Sequence, residues 1–343
     1  MKIALDMQLA VGTATGIGEY ARGLARALRD DGADIVELCE PALDPWRFDR
    51  RVVWDQVLLP QRVRASHAQL LHCTSGTMPM HLSVPAVVTV HDVAWLKVQQ
   101  HTRPYARYYF GRFALQRYRS AAAIAVDSAF SKRELLEAFE IDPARVRVVY
   151  PGVAADFASV ERAAASEPFV LVPGTVERRK NIEVLIRAIA SIDDVRIVSV
   201  GPHTRYQDEC IALAQDLSVS DRVEFRGYVP REELLALYAS CAMVAVPSTY
   251  EGFGYAAAQA LCAGAPAAVA NCASLPEVVS SSAPLLDPHD ERAWAQAIAS
   301  VIAGPQAAQL RASGERANAI ARFSWSTAAA VMRDIYGRAL IHG

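Results

Sequence analysis

Strand and helix patterns alternate along most of the chain, in two runs parted by a small, polar stretch. They predict an α/β protein of two Rossmann-like, doubly wound domains. Two further observations support this. Apolar, β-branched runs such as 86-AVVTV-90 and 242-AMVAV-246 lack polar alternation, which is how strands covered on both faces of a parallel sheet read. The 343 residues fit two domains of roughly 150 residues each, and a hydrophobic fraction of 52% is enough to fill both cores.

The first run begins with strand 2-KIALDM-7, the glycine-bearing loop 9-LAVGTATGIGEY-20 and helix 19-EYARGLARALRDDG-32. In that helix Tyr20, Leu24, Ala27 and Leu28 recur at helical spacing and Gly32 ends it. A helical stretch around Trp54–Val63, a short strand around Leu70–Cys73 and strand 86–95, ending in His91-Asp92, follow. Segment 102-TRPYARYYFGRFALQRYRSA-121 reads as a helix mixing arginines with Tyr and Phe. It suits either an anionic membrane surface or a core-packed helix with its arginines in water. Strand 122-AAIAVDS-128 leads to a helix at 131–140 capped by Ser128 or Ser131, and strand 145-RVRVVY-150 runs into Pro151-Gly152. The stretch 152-GVAADFASVERAAASEP-168 has no strong period and is the linker candidate. The pattern then restarts with strand 169-FVLVPG-174, loop 175-TVERRKN-181, helix 182-IEVLIRAIASI-192 and strand 195-VRIVSVG-201. Helix 204–218, strand 222-RVEFRG-227, helix 231-REELLALYASC-241 and strand 242–248 continue it. A last helix at about 326–341 follows the second sheet and is expected to pack back on the first domain. The expected divisions are therefore 1–160, 161–325 and 326–343.

Composition excludes several classes. A formal charge of −2 offers no global attraction to nucleic acid. No apolar run approaches the ~20 residues needed to span a bilayer, and MKIALDMQLAVG reads as a first strand, not a signal peptide. Six scattered cysteines without a C-x-x-C pair suit a reduced, cytosolic protein. No His/Cys cluster has metal-ligand spacing and no Asp-x-Asp occurs, so no metal or other cofactor is expected.

Candidate chemistry concentrates in 247-PSTYEGFGYAAAQALCAG-264. Pro247 stops a strand, Gly252, Phe253 and Gly254 make a turn, and a helix of small residues starts at Tyr255 and ends at Gly264. A glycine turn opening a helix presents backbone N–H donors and the positive end of the helix dipole, which suits a phosphate. Glu251 beside it could accept hydrogen bonds from sugar hydroxyls. The same pattern is also an ordinary strand–turn–helix. Loop 177-ERRKN-181 places Arg178, Arg179 and Lys180 after a strand and before a helix, as phosphate recognition needs, although charge runs are also common on surfaces. Gly12, Gly16 and Gly18 occupy the equivalent loop of the first domain, but their spacing is not G-x-G-x-x-G, so no dinucleotide fingerprint is read there. His91 closes another strand, in a functional or a structural pair with Asp92, which either orients the imidazole or caps the next turn. All four features fall at carboxyl ends of strands, and two such edges facing one another would enclose a cleft.

In that order, 16-GIGEY-20, 90-VHDVAW-95, 126-VDSAFSK-132, 149-VYPGV-153, 173-PGTVERRKN-181, 227-GYVPREEL-234, 247-PSTYEGFG-254 and 275-LPEVV-279 resemble the retaining, nucleotide-sugar-dependent glycosyltransferases of family 4, with the GT-B fold. The resemblance covers nearly the whole chain. It implies that Arg179 and Lys180 stabilise the leaving diphosphate, Glu251 fixes the sugar ring and His91 contacts the transferred sugar. It further implies that Gly16, Gly18, Thr175 and the turn Gly252, Phe253, Gly254 and Tyr255 line the donor site. The family's acid–seven–acid signature starts at Glu251, but its second position, which usually holds the ribose, is Gln259 here. No carboxylate is placed as a nucleophile, so front-face displacement with retention and without metal is expected. The sub-pattern G-T-x-E-x-R-K-N resembles mannosyl-type transferases of surface polysaccharide assembly. It implies GDP-mannose as donor and a glycan or lipid-linked acceptor, at the cytoplasmic face of a membrane. A nucleotide-sugar epimerase, a sugar phosphorylase and a non-catalytic nucleotide-sugar-binding subunit are the alternatives.

Overall fold

The apolar runs form two parallel sheets in the computed structural model of the chain, which describes residues 1–12, 16–94, 109, 112–163, 167–279, 281 and 283–342. The chain divides into two compact units, Met1–Gly152 with Ser324–Gly343, and Val153–Phe323.

In the first unit the strands are β1 (Lys2–Asp6), β2 (Asp34–Leu38), β3 (Leu70–Cys73), β4 (Ala86–Val90), β5 (Ala123–Val126) and β6 (Val146–Val148), ordered β2-β1-β3-β4-β5-β6. β3, β4 and β5 are buried along their whole length, which explains why they carry no alternating pattern. The helices are α1 (Gly16–Asp30), α2 (Phe48–Val53), α3 (Leu59–Ser66), α4 (Arg112–Ser120) and α5 (Ala129–Ala138). A π-helical turn, Trp54–Leu58, joins α2 to α3 where a single helix was expected. It carries Trp54 and Asp55 into the core, where Arg51 pairs with both Asp6 (3.2 Å) and Asp55 (2.9 Å). Ser128, not Ser131, caps α5: its Oγ accepts from the Ser131 N–H at 2.9 Å.

The second unit contains β7 (Phe169–Pro173), β8 (Arg196–Val200), β9 (Val223–Phe225), β10 (Met243–Val246), β11 (Ala267–Ala270) and β12 (Leu285–Leu286), ordered β12-β11-β10-β7-β8-β9. Its helices are α6 (Ile182–Ile189), α7 (Arg205–Asp216), α8 (Arg231–Ser240), α9 (Tyr255–Ala263), α10 (Leu275–Val279), α11 (Glu291–Ala303) and α12 (Pro305–Arg322). Strand order reverses between the parallel neighbours β7 and β10, so the connections that leave their carboxyl ends part to opposite sides, at the place where open sheets receive ligands.

The stretch expected to be a linker is anchored instead. Phe157 is fully buried and packs edge-on against Tyr238 at 5.0 Å. Arg231 stacks over Phe157 and pairs with Asp156, and Arg316 donates to the carbonyls of Ala158 and Val160. A single large apolar residue amid small ones produces no period, yet it fixes the segment to the second unit.

After α12 the chain returns to the first unit as α13 (Trp325–His342). Ala328, Ala329, Met332, Ile335, Tyr336 and Ala339 join the core formed by α1 and one face of the sheet. The Trp325 indole occupies the space that side chains at Gly23 and Gly152 would need: an added Cβ would lie 2.2 Å and 2.4 Å from the ring. Among the described residues, no helix is long and apolar enough to cross a membrane.

This seat gives a sign reversal to test. Helix propensity alone makes Gly→Ala stabilising by about 1 kcal/mol inside a helix. That gain is expected at Gly314 in α12, where an added Cβ meets nothing within 4 Å. Gly23→Ala in α1 is expected to destabilise by about 2 kcal/mol through displacement of Trp325. Urea unfolding of the two variants measures the difference.

Candidate active site

The two loops at the reversal point of the second sheet meet through side chains. The loop after β7 passes through a 3₁₀ turn, Arg178–Lys180, and reaches α6 by way of Asn181, whose φ of 53° is left-handed. The Asn181 amide donates to the carbonyls of Pro247 (3.1 Å) and Pro288 (2.7 Å), tying this loop to the end of β10. The Thr249 N–H donates to the Arg179 carbonyl at 2.8 Å, a second tie.

Glu251 lies between them. Its carboxylate accepts from Lys180 Nζ at 2.6 Å, from an Arg179 guanidinium nitrogen at 3.0 Å and from Ser248 Oγ at 2.7 Å. Arg179 also pairs with Glu177 at 2.7 Å. The Glu251 side chain is only 8% exposed, against 17% for Lys180 and 23% for Arg179. Burial alone would raise the Glu251 pKa, but Lys180, Arg179 and the Ser248 hydroxyl outweigh it and bring it down to about 2. Ser274 Oγ donates to the carbonyls of Glu251 (2.9 Å) and Phe253 (2.7 Å), which sets the curve of the turn.

α9 starts directly after this turn. Gly254, at φ 99°, is its N-cap and supplies no side-chain cap hydrogen bond to the first turn. A Cβ there would lie 2.7 Å from Leu275. Ala257, Ala258, Ala260 and Ala263 are fully buried, and Gly264 ends the helix at φ 64°. The small side chains draw the helix close against its neighbours, with its N-terminus beside Glu251.

Several expectations need correction here. Phe253, expected to offer its backbone in the turn, has a buried ring packed edge-on against Phe323 and Tyr255, and its carbonyl accepts from Ser274. Arg178 does not join the cationic corner, because it turns outward to Glu209 and stacks over Tyr206. Gln259 accepts a 3.0 Å hydrogen bond from the Tyr238 hydroxyl, so its carbonyl oxygen belongs to the α8–α9 contact. Thr175 is half-buried in the loop after β7, and Tyr255 opens α9. Sequence reasoning missed Glu177 and Ser248, whose only signal was adjacency to the predicted residues, and Ser274, which had none.

In the first unit, Gly16 and Gly18 lie within the first turn of α1 and not in an open loop. Gly16 is exposed, whereas a Cβ at Gly18 would lie 2.9 Å from the Leu9 carbonyl oxygen, so that glycine serves helix packing. His91 follows β4 and is held on both ring nitrogens: Nδ1 lies 2.6 Å from Asp127 Oδ2, and Nε2 lies 2.9 Å from the Thr74 carbonyl oxygen. Two acceptors on two nitrogens call for an imidazolium. Burial would lower the His91 pKa, but Asp127, the Thr74 carbonyl and Asp92 raise it above the ordinary value. A direct bond from Nε2 to a sugar therefore requires release of the Thr74 carbonyl. Asp92 takes the turn-capping role of its two alternatives and accepts from the Ala94 N–H at 3.0 Å.

The basic aromatic helix also differs from its membrane reading where it is described. Tyr109, Arg117 and Tyr118 are buried, with Arg117 over the Tyr109 ring at 4.4 Å and the Tyr109 hydroxyl donating to Asp55 at 2.8 Å. Arg103, Arg107 and Tyr105 lie outside the described residues.

Comparison with known proteins bears on the family and the fold. Residues 14–157 match the family model "Glycosyltransferase Family 4", and residues 155–318 match "Glycosyl transferases group 1". A D-inositol 3-phosphate glycosyltransferase of Mycobacterium sp. (strain KMS) is 34% identical over 235 residues, 64% of this chain and 53% of that protein. The chain thus spans about half the length of the curated relatives it matches. Among solved structures, a sucrose-phosphate synthase from Thermosynechococcus elongatus superposes over 100% of both chains, with a TM-score of 0.82 and 22% identity. Anabaena HepE in complex with UDP-glucose superposes over 98% of this chain and 99% of its own, with a TM-score of 0.78 and 19% identity.

The Glu251 corner predicts an acid-dependent stability difference. Glu251→Gln removes the carboxylate shared by Lys180 and Arg179, leaves Glu177 to face Arg179 alone, and is expected to cost about 3 kcal/mol at neutral pH. Because the folded pKa is depressed, this contribution is complete above the ordinary value of 4.5 and is lost as pH falls toward about 2. Unfolding curves of the wild type and the variant should therefore converge across that window.

Proposed function

The chain belongs to the family 4 glycosyltransferases of the GT-B fold, and on that premise we propose that it moves a hexose from a nucleoside-diphosphate sugar to an acceptor hydroxyl. The observation that carries this reading is the Glu251–Lys180–Arg179 corner beside the N-terminus of α9. Glu177, Arg179, Lys180 and Glu251 sum to no net charge, so the corner is stable when empty. An ammonium has three donors and Glu251 engages one, so Lys180 has the capacity to bond a phosphate oxygen without leaving its carboxylate. As the bond to the sugar breaks, charge grows on the departing phosphate. Donors already oriented by Glu251 then stabilise it at little reorganisation cost. The N-terminus of α9, capped by a glycine, adds its backbone dipole to the same region. The departing phosphate helps deprotonate the acceptor on the same face, which retains the configuration of the sugar, and this reading needs no metal.

For the donor we favour GDP-mannose, on the G-T-x-E-x-R-K-N pattern, with a lipid-linked saccharide acceptor that would bring the chain to the cytoplasmic face of a membrane. A second reading, a UDP-hexose donor with a phosphorylated polyol acceptor, is favoured by the likeness to HepE bound to UDP-glucose and to the inositol-phosphate glycosyltransferases.

Transfer assays on the full chain separate these readings. GDP-mannose and UDP-glucose are each supplied with a lipid-linked saccharide, with an inositol phosphate, and with no acceptor. Acceptor-dependent release of one nucleotide is expected, and Lys180→Ala and Glu251→Ala should each lose about 100-fold or more in kcat/KM. Acceptor-independent turnover would indicate an epimerase, phosphate-dependent cleavage without nucleotide a phosphorylase, and binding without turnover a carrier subunit. Variants that fold and turn over normally would remove the corner from the reaction.

A further inference from the structure

We propose that Tyr20 is a positioning residue for His91, itself held from the end of the chain by a buried line of hydrogen bonds, Tyr336–His72–Thr89–Tyr20. Each member is buried, none more than 1% exposed. The Tyr336 hydroxyl lies 2.7 Å from His72 Nδ1, His72 Nε2 lies 2.8 Å from Thr89 Oγ1, and Thr89 Oγ1 lies 3.0 Å from the Tyr20 hydroxyl. Four polar side chains inside a core cost free energy unless each is partnered, and here each is. Burial drives the His72 pKa down to about 3, so its ring is neutral. A neutral imidazole donates from one nitrogen and accepts at the other, so it continues the line instead of ending it.

The Tyr20 ring stands at 84° to the His91 ring with centroids 4.8 Å apart, and its other side meets Trp325 at 5.8 Å. Trp325 is seated in the slot left by Gly23 and Gly152. The hydroxyl and the ring of Tyr20 are thus both fixed by α13. The groups facing His91 are Asp127 from the end of β5, the Thr74 carbonyl from the end of β3, Asp92 beside it, Tyr20 from α1, and neutral His72 behind Thr89. Ser131 Oγ donates to the His91 carbonyl from α5. An imidazolium held by two acceptors and packed on an aromatic ring keeps its charge and its direction together.

The effect on transfer rests on the proposed function; the position and charge of the ring do not, so the test reads them separately. In the full chain without donor, the His91 Cε1–H resonance is assigned by its loss in His91→Gln and followed by NMR against pH. Tyr20→Leu is expected to lower the His91 pKa by about half a unit to one unit. Tyr336→Phe, three groups away, is expected to move the His91 resonance and to reduce kcat several-fold with little change in donor KM. A folded Tyr20→Leu protein whose His91 titrates as in the wild type would overturn the proposal. If Tyr20→Leu does not fold, Thr89→Val decides, and an unchanged His91 resonance and pKa in that variant overturns it equally. A shifted His91 with unchanged transfer upholds the positioning role and removes His91 from the reaction.

Discussion

A buried carboxylate shared by two cations is the constraint on which the second unit depends. Glu251 is nearly sealed from water, and an isolated carboxylate there would be strongly disfavoured. Lys180, Arg179 and Ser248 reverse that balance, but only if the loop after β7 and the turn after β10 stay in register to within tenths of an ångström. Other contacts serve that register. Asn181 adopts a left-handed conformation to bridge the loops, Ser274 gathers the carbonyls of the turn, and a glycine caps α9 where Leu275 leaves no room for a side chain. The backbone beneath is packed as closely. A Cβ at Gly201, after β8, would lie 2.0 Å from the Gly174 carbonyl oxygen at the end of β7. The fixed geometry of the corner is therefore a property of the strand ends as well as of the charged groups.

The first unit orders its own edge by a different means. Its charged histidine is not opposed by a cluster of cations but enclosed by Asp127, a carbonyl and the Tyr20 ring. Its supports run inward, through the core, to a helix contributed by the last residues of the chain. α13 is consequently part of the first unit in more than location. Trp325 and Tyr336 supply surfaces that no residue before position 324 replaces, and Gly23 and Gly152 are small because that helix needs the space.

Much of this was legible in the amino-acid order, for identifiable reasons. Strands β5 and β10 are continuous apolar runs, and β3 and β4 nearly so but for His72 and Thr89, because both faces are covered, and such runs are detectable locally. Glu251 and the basic loop were found because each lies between a strand ending and a helix beginning, a relation visible in the one-dimensional pattern. Less visible was which neighbour points where. Arg178 and Arg179 are adjacent, yet the 3₁₀ turn sends one outward to Glu209 and the other inward to Glu251. Phe253, between two glycines, read as part of an open turn, but the turn folds its ring under α9 against Phe323. The stretch 152–168 read as a linker because its anchors, Phe157 chief among them, leave no periodic trace.

Local patterning by itself determined the two parallel sheets, their approximate strands, and the loops that carry charge at the strand ends. These follow from side-chain burial and turn chemistry within a few residues of each position. Only the tertiary structure decided that Glu251 meets Lys180 and Arg179 across 71 and 72 positions, and that Tyr336 supports His72 across 264. Pairings of that kind depend on the order in which parallel strands are laid side by side. That order is fixed by the packing of whole helices and sheets, not by any property of the residues that finally touch.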